Sequence, residues 1–310
     1  MMQRNSTIFQ FNRLLLAGLV LLFTRTLNAQ QEWSYTQYQF NLYDVNSAYA
    51  GNHQTLSAAV RHRSQWIGFE GAPATDQFSM HAPLAGSRIG IGMRVVSDRI
   101  GARRQQLLKS SAAYKIRVSK GTFSLALTAG LLRGCIDRSE LTAQDMNDAQ
   151  LAQLGAVQLT PMVGAAFLYS SNRIFLGAEA GALNQSSIGN TPGSLARIYR
   201  RVNAVAGYIF TMGESDVLEL STQLKWSEGM QLQAEVNAQY LYHNKCWLGA
   251  GYRINSAWQL LASWMVNEQF RIGLSYDNTV SRLLNSNQSS AELFLGYTLH
   301  KRSAGAVRYF

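Results

Sequence analysis

"GMQLQAEVNAQYLYH", residues 229–243, decides the reading of the chain. Leu232, Ala234, Val236, Ala238, Tyr240 and Tyr242 form one set, and Gln231, Gln233, Glu235, Asn237 and Gln239 the interleaved set. Successive side chains of an extended chain point to opposite faces. A period of two over about twelve residues therefore makes a strand with one apolar and one polar face. A helix would scatter the same residues around its surface.

The pattern recurs on both sides of this stretch. In "QLLKSSAAYKIRV" (106–118), Leu108, Ala112, Tyr114, Ile116 and Val118 alternate with Lys109, Ser111, Lys115 and Arg117. In "GTFSLALTAGLL" (121–132), Phe123, Leu125, Leu127, Ala129 and Leu131 stand opposite Ser124, Ala126, Thr128 and Gly130. "NAVAGYIF", "DVLELSTQLKW", "QFRIGLSYD" and "AELFLGYTL" behave likewise. About fourteen such segments follow one another, the first beginning near Thr55 and the last near Ser290. Four prolines, 25 glycines and 27 Tyr plus Phe favour long strands over helices.

The connections also alternate. Short ones at 84–87, 118–122, 170–172, 212–216, 243–245 and 267–269 are interleaved with longer ones at 66–74, 136–158, 184–197 and 278–289, and two moderate ones at 227–230 and 254–257. With both termini periplasmic, every short turn falls on the periplasmic side, as in an outer-membrane barrel. The rival is a soluble β-sandwich or solenoid. Strands of roughly 10–13 residues are long for it, since soluble strands average about 5–6. Charges in the polar sets suit a wet lumen, and aromatics near strand ends (Trp226, Trp247, Tyr252, Trp258, Trp264 among them) suit interfacial girdles. The expected fold is all-β: an antiparallel transmembrane β-barrel of about 14 strands, with short periplasmic turns and longer extracellular loops.

The ends read differently. Arg4 and Arg13, the apolar run 14–23 and the small Ala29 predict a secretory signal peptide over 1–29. Its apolar run of about ten residues is too short for a membrane anchor, which needs ~20. Its removal takes three arginines and no acid, lowering the net charge from +10 to +7. Lys and Arg never run longer than two, so nucleic acid is not an expected partner. The expected organisation is a periplasmic segment at 30–54, the barrel at 55–300 and a basic periplasmic tail at 301–310.

The stretch "RSQWIGFEGAPATDQFSM" (63–80) is unusual for a connection, because Trp66, Ile67 and Phe69 sit among Gly68, Gly71 and Pro73. Two readings are open. The loop folds inward and plugs the lumen, or it presents aromatic anchors to a protein partner. Gly68 and Gly71 would let the backbone turn sharply, and Arg63 and Glu70 are candidates for a charge pair. Arg94, Arg117, Arg201, Arg253 and Arg271, with Glu179, Glu219 and Glu235, are candidates to cross-link the lumen.

"NSAYAG" (46–51), "RHRSQWIGFEGAPATDQFSMHAPL" (61–84), "GIGMRVVSDRIG" (90–101) and "AAYKIRV" (112–118) together resemble the PorP/SprF family of the type IX secretion system of Bacteroidota. "AGYIF" (206–210), "LGAGYRIN" (248–255), "IGLSYDNTVSRL" (272–283) and "AELFLGYTL" (291–299) fit its later part. The Arg-x-x-Trp-x-Gly-x-x-Gly-Ala-Pro run from Arg63 is the most specific piece. Two departures stand in the N-terminal part: Ser47 replaces the usual proline before Ala-Tyr-Ala-Gly, and Leu42 follows Asn41 where a proline is frequent. The resemblance implies a non-catalytic barrel in outer-membrane lipid, working with the secretion machinery and its periplasmic ring and with the C-terminal domain of a secreted cargo or gliding adhesin. The alternative is a diffusion channel or small-molecule transporter.

Enzymatic chemistry has no foothold. HExxH, CxxC and GxSxG are missing, the five histidines have no metal-ligand spacing, and no cofactor is expected. His62 and His81 are expected to face one lumen from neighbouring strands. Glycine pairs such as Gly90 and Gly92 mark places where a barrel curves or a neighbour approaches. "SELTAQDMNDAQ" (139–150) reads as a solvated outer loop. Cys135 and Cys246 are expected at opposite barrel ends, beyond the ~7 Å that a disulfide permits.

Overall fold

Polar and apolar side chains alternate along nearly every strand, and in sheet geometry this forms a tube. The computed structural model describes residues 33–53, 55–86, 88–141, 157–185, 198–213, 215–280 and 289–299. Its strands are β1 (Ser57–Ser64), β2 (Ala74–Pro83), β3 (Ile89–Ile100), β4 (Arg103–Val118), β5 (Gly121–Ile136), β6 (Gln158–Ser170), β7 (Ile174–Gly181), β8 (Arg201–Thr211), β9 (Val217–Ser227), β10 (Gln233–Tyr242), β11 (Cys246–Arg253), β12 (Ala257–Met265), β13 (Phe270–Thr279) and β14 (Ser289–Thr298). They form one closed 14-strand barrel in sequence order. β1 is antiparallel to β2 on one side and to β14 on the other, with Ser57 opposite both His81 and Thr298. Closure leaves no unpaired edge.

Burial is inverted relative to a water-soluble protein. On β10, Glu235 is 2% and Gln239 1% exposed, whereas Val236 is 50% and Tyr242 53% exposed. The polar set lines the interior and the apolar set faces out, which is stable where the outer solvent is lipid. Among the described residues no helix is long and apolar enough to cross a membrane.

Six short connections, at 84–88, 119–120, 171–173, 212–216, 243–245 and 266–269, share one end, the turn end. The other, the loop end, carries 65–73, 137–157, 182–200, 228–232, 254–256 and 280–288. One loop-end connection departs from the expected pattern: 101–102 joins β3 to β4 in two residues. Gly101 makes the reversal with φ +51° and donates its N–H to the Gly71 carbonyl at 2.8 Å. β4 and β5 run 16 residues each, longer than expected, and stay paired over their whole length, from Arg103 opposite Ile136 to Val118 opposite Gly121. Trp247, expected in a girdle, points inward and is 2% exposed.

The larger correction concerns residues 30–54. From Trp33 to His53 this segment lies inside the barrel, not free on the periplasmic side. It is buried at every residue from Tyr35 to Gln39 and again from Leu42 to Gly51. Its backbone makes three short 3-10 turns, Tyr38–Phe40, Leu42–Asp44 and Ser47–Tyr49, with Asn46 capping the last through its side chain onto Ala48 N–H. The expected signal peptide, the tail 301–310 and most of 139–150 lie outside the described residues.

Candidate functional site

The lumen is a polar shaft, and residues 33–53 fill it. Near the loop end, strand side chains and plug backbone form one network. Arg63 pairs with Asp277 at 2.7 Å and Glu292 at 3.2 Å. Arg61 pairs with Glu292 and with Asp44 of the plug, both at 3.1 Å. Arg253 pairs with Glu235 at 2.8 Å and approaches Asp277 at 3.6 Å. The plug completes the set: Thr36 Oγ1 donates to Asp277 at 2.8 Å, and the N–H groups of Thr36 and Gln37 donate to Glu292 at 3.0 and 3.2 Å. Arg61 and Arg63 in turn donate to the Gln37 carbonyl and Thr36 Oγ1. Buried ions need both a counter-charge and hydrogen bonds, and here the plug supplies part of each.

Across the lumen Lys109 pairs with Glu179 at 2.5 Å, and Glu179 accepts the Ser47 N–H at 2.6 Å. Arg94 donates to the Asp44 carbonyl, and Asn203 to that of Val45 at 3.2 Å. Toward the turn end, plug residues Tyr38, Leu42, Tyr43 and Tyr49 form an apolar cluster with Leu168, Phe175, Ile209 and Trp247. Glycines let the plug reach the wall. A Cβ at Gly92 would overlap the Tyr43 ring, and one at Gly90 the Ala50 carbonyl. The neighbour expected at these strand glycines is thus the plug.

The plug has a direction. Ser34 accepts from Lys225, close to the loop end of β9, at 2.7 Å. Gly51 donates to His81 Nδ1 at 3.1 Å, and its carbonyl accepts from Lys115, close to the turn end of β4. The chain therefore enters at the loop end, crosses the lumen and starts β1 at the turn end. Above it the loop end holds an open vestibule of about 410 Å³, walled by Trp33 and Trp66, with Arg63, Arg253 and Asp277 in its lining.

The residues 63–73 divide between wall and rim. Arg63 is in the lumen network, paired with Asp277 and Glu292. Glu70, its expected partner, is exposed. The loop does not fold into the lumen: Ile67 is 54% and Phe69 61% exposed, while Trp66 is half-buried on the vestibule wall. Gly68 and Gly71 take φ +92° and +70°, the turning expected of them. The loop is held by Trp66 N–H on Ser290 Oγ at 3.3 Å, Ile67 N–H on the Ser289 carbonyl at 2.8 Å, and Gln65 N–H on the carbonyl of the buried Pro73 at 2.9 Å. His62 and His81 do not share a face. His81 is buried in the lumen, and His62 points outward onto Asp76 at 2.7 Å. Of the expected lumen arginines, Arg253 pairs with Glu235 and Arg94 binds the plug, whereas Arg117 is exposed at a strand end. Cys135 and Cys246 are free, one near the loop end of β5 and one at the turn end of β11.

Thr36, Gln37 and Asp44 were not singled out in the sequence. A signal was present: Asp44 is the sole acid in 33–53, no Lys or Arg occurs there, and four tyrosines do. A segment bathed in water would carry more charge.

The profile of the type IX secretion system membrane protein PorP/SprF matches residues 27–297. The chain belongs to this family. Solved structures similar to this PorP/SprF barrel are also outer-membrane barrels. The CymD monoaromatic hydrocarbon channel superposes with a TM-score of 0.50 at 11% identity, over 87% of this chain and 94% of that one. The TodX ΔS2S3 mutant monoaromatic hydrocarbon channel gives 0.49 at 14%, over 89% and 97%. Omp33 of Acinetobacter baumannii gives 0.48 at 6%, over 79% and 99%. At such identities the likeness concerns the fold alone. No protein of curated function matches the sequence. This PorP/SprF chain is therefore an outer-membrane barrel and a membrane component of type IX secretion.

Proposed function

We propose that this PorP/SprF barrel acts as a non-conducting, non-catalytic scaffold of type IX secretion, holding or passing secreted proteins or surface adhesins at its loop end, with the loop 65–73 as partner contact. The observation that carries this reading is the filled lumen. A diffusion channel needs a continuous aqueous path, and here buried plug residues and ion pairs occupy it. Ile67 and Phe69 support the partner contact, because large apolar side chains held at a rigid rim are the kind that dominate protein interfaces.

Planar-bilayer recording of the pure protein tests the reading. The intact chain stays silent, and a variant lacking residues 33–52 conducts steadily. Large steady conductance from the intact chain returns the function to a diffusion channel.

A further inference from the structure

The outer face of β1–β5 carries a sharp boundary. One hydrogen-bonded row of outward side chains is Val60, Phe78, Val95, Leu108 and Leu131, each 37–49% exposed. The next outward row toward the loop end is His62, Asp76, Ser97, Gln106 and Arg133, polar on all five strands and exposed throughout. Above it Arg99 stands directly opposite Arg104.

The boundary has the depth of a lipid headgroup layer. Outward residues of β4 run from Leu108 to Val118, ten residues on. At ~3.4 Å per residue and a tilt of ~40° that is about 26 Å, the height of the apolar band of such barrels. Charges on a lipid face are costly at mid-bilayer and nearly free at its edge, so the outward Arg99, Arg104 and Arg133 mark that edge on β3–β5. Elsewhere toward the loop end, β9 and β11–β13 carry outward aromatics: Trp226, Tyr252, Trp258 and Tyr276, each 37–44% exposed, with Trp258 and Tyr276 centroids 5.9 Å apart. The β1–β5 sector replaces that girdle with guanidiniums.

Their counter-charges are incomplete. Arg104 is taken by Glu140 at 2.5 Å and Asp137 at 3.4 Å. Asp137 stays charged, because the Ser139 hydroxyl and N–H, and then Arg104, hold its carboxyl below the ordinary range. Asp76 is taken by His62. Among the described residues Arg133 meets only the Gln106 amide oxygen, at 3.0 Å, and Arg99 has no carboxylate. With Arg104 already held by two carboxylates, Arg99 and Arg133 are the guanidiniums left without a counter-charge among the described residues, and a phosphate accepts guanidinium hydrogen bonds in a bidentate fork.

We infer that the outward face of β3–β5, through Arg99 and Arg133, binds the phosphate of a lipid headgroup in the loop-end leaflet. The acyl chains lie against Val95, Leu108 and Leu131 directly below, and the arginine stems lie along the same surface.

The test titrates detergent-purified protein with fluorescent dioleoyl phosphatidic acid, with the diacylglycerol of the same chains as control and inorganic phosphate as competitor. The intact chain binds the phosphatidic acid in preference to the diacylglycerol. Arg99→Gln/Arg133→Gln binds on the order of 30-fold more weakly, the factor two interfacial arginines supply. Arg99→Lys/Arg133→Lys keeps the charge but loses the fork and binds more weakly than the parent and more tightly than the glutamine pair, and Arg117→Gln/Lys120→Gln at the turn end binds like the parent. All variants must retain the heat-modifiable gel shift of a folded barrel, and the lysine pair carries the test if the glutamine pair does not. Equal binding of the two lipids, unchanged affinity in the glutamine pair, or displacement by millimolar phosphate overturns the inference. So does a protein that co-purifies with the parent and is lost from the glutamine pair while lipid affinity stays the same.

Discussion

Arg63 shows what a single lumen residue does. It is 2% exposed, its partners Asp277 and Glu292 are equally buried, and Thr36 of the plug accepts from it. Arg63→Ala leaves two carboxylates sharing Arg61 and Arg253 alone. An uncompensated buried charge costs about 3–5 kcal/mol, so this barrel unfolds at markedly lower denaturant than the parent in gel-shift titrations. Arg63→Ala combined with Glu292→Gln recovers part of the loss, because one of the stranded charges is then gone. An Arg63→Ala variant as stable as the parent would show that water, and not the network, solvates these carboxylates. The sequence offered Glu70 as the partner because it lies close in the chain. The true partners are 214 and 229 residues away, and only barrel closure brings them near.

At the scale of elements, the strands were legible and the plug was not. A strand between lipid and lumen writes its two environments onto alternate residues, so β10 could be read from Leu232 to Tyr242 without knowing its neighbours. The six turns were legible because alternation breaks where the chain reverses. Residues 33–53 meet wall on every side, so Tyr35 through Gln39 are all buried and no period of two survives. Even the 101–102 reversal was hard to place, since it takes only two residues, Gly101 and Ala102, between strand ends that are polar on both sides, Ser97 to Arg99 and Arg103 to Gln106. The loop 65–73 was legible as unusual but not in its direction, because apolar anchors suit an inward and an outward fold equally. Its outward pose gives a separable prediction. Ile67→Ser/Phe69→Ser removes only exposed side chains, so stability changes by no more than about 0.5 kcal/mol, and the backbone bonds to Ser289 and Pro73 persist. Capture of a secreted C-terminal domain by the detergent-solubilised barrel falls at least tenfold in a pull-down, since central apolar anchors each contribute ~2 kcal/mol or more. Undiminished capture assigns the contact to another part of the rim.

Across the whole molecule, the plug's direction fixes where the two ends of the segment stand relative to the bilayer. Ser34 is held at the loop end by Lys225, and His53, beside Tyr49 at 2.8 Å, lies at the turn end. A strap merely tucked in from the turn end would keep both positions on one side. In a Cys135→Ser/Cys246→Ser background, Ser34→Cys and His53→Cys each place one thiol at one end of the lumen. Short turns of outer-membrane barrels face the periplasm, so a membrane-impermeant maleimide labels Ser34→Cys on whole cells and His53→Cys only after the outer membrane is permeabilised. The buried span between them, with Tyr38 and Tyr43 fully enclosed, keeps the reagent from crossing through the lumen. Labelling of both positions from the same side would mean that the chain doubles back, and the network of Thr36 and Gln37 with Asp277 and Glu292 near the loop end would then have to be abandoned.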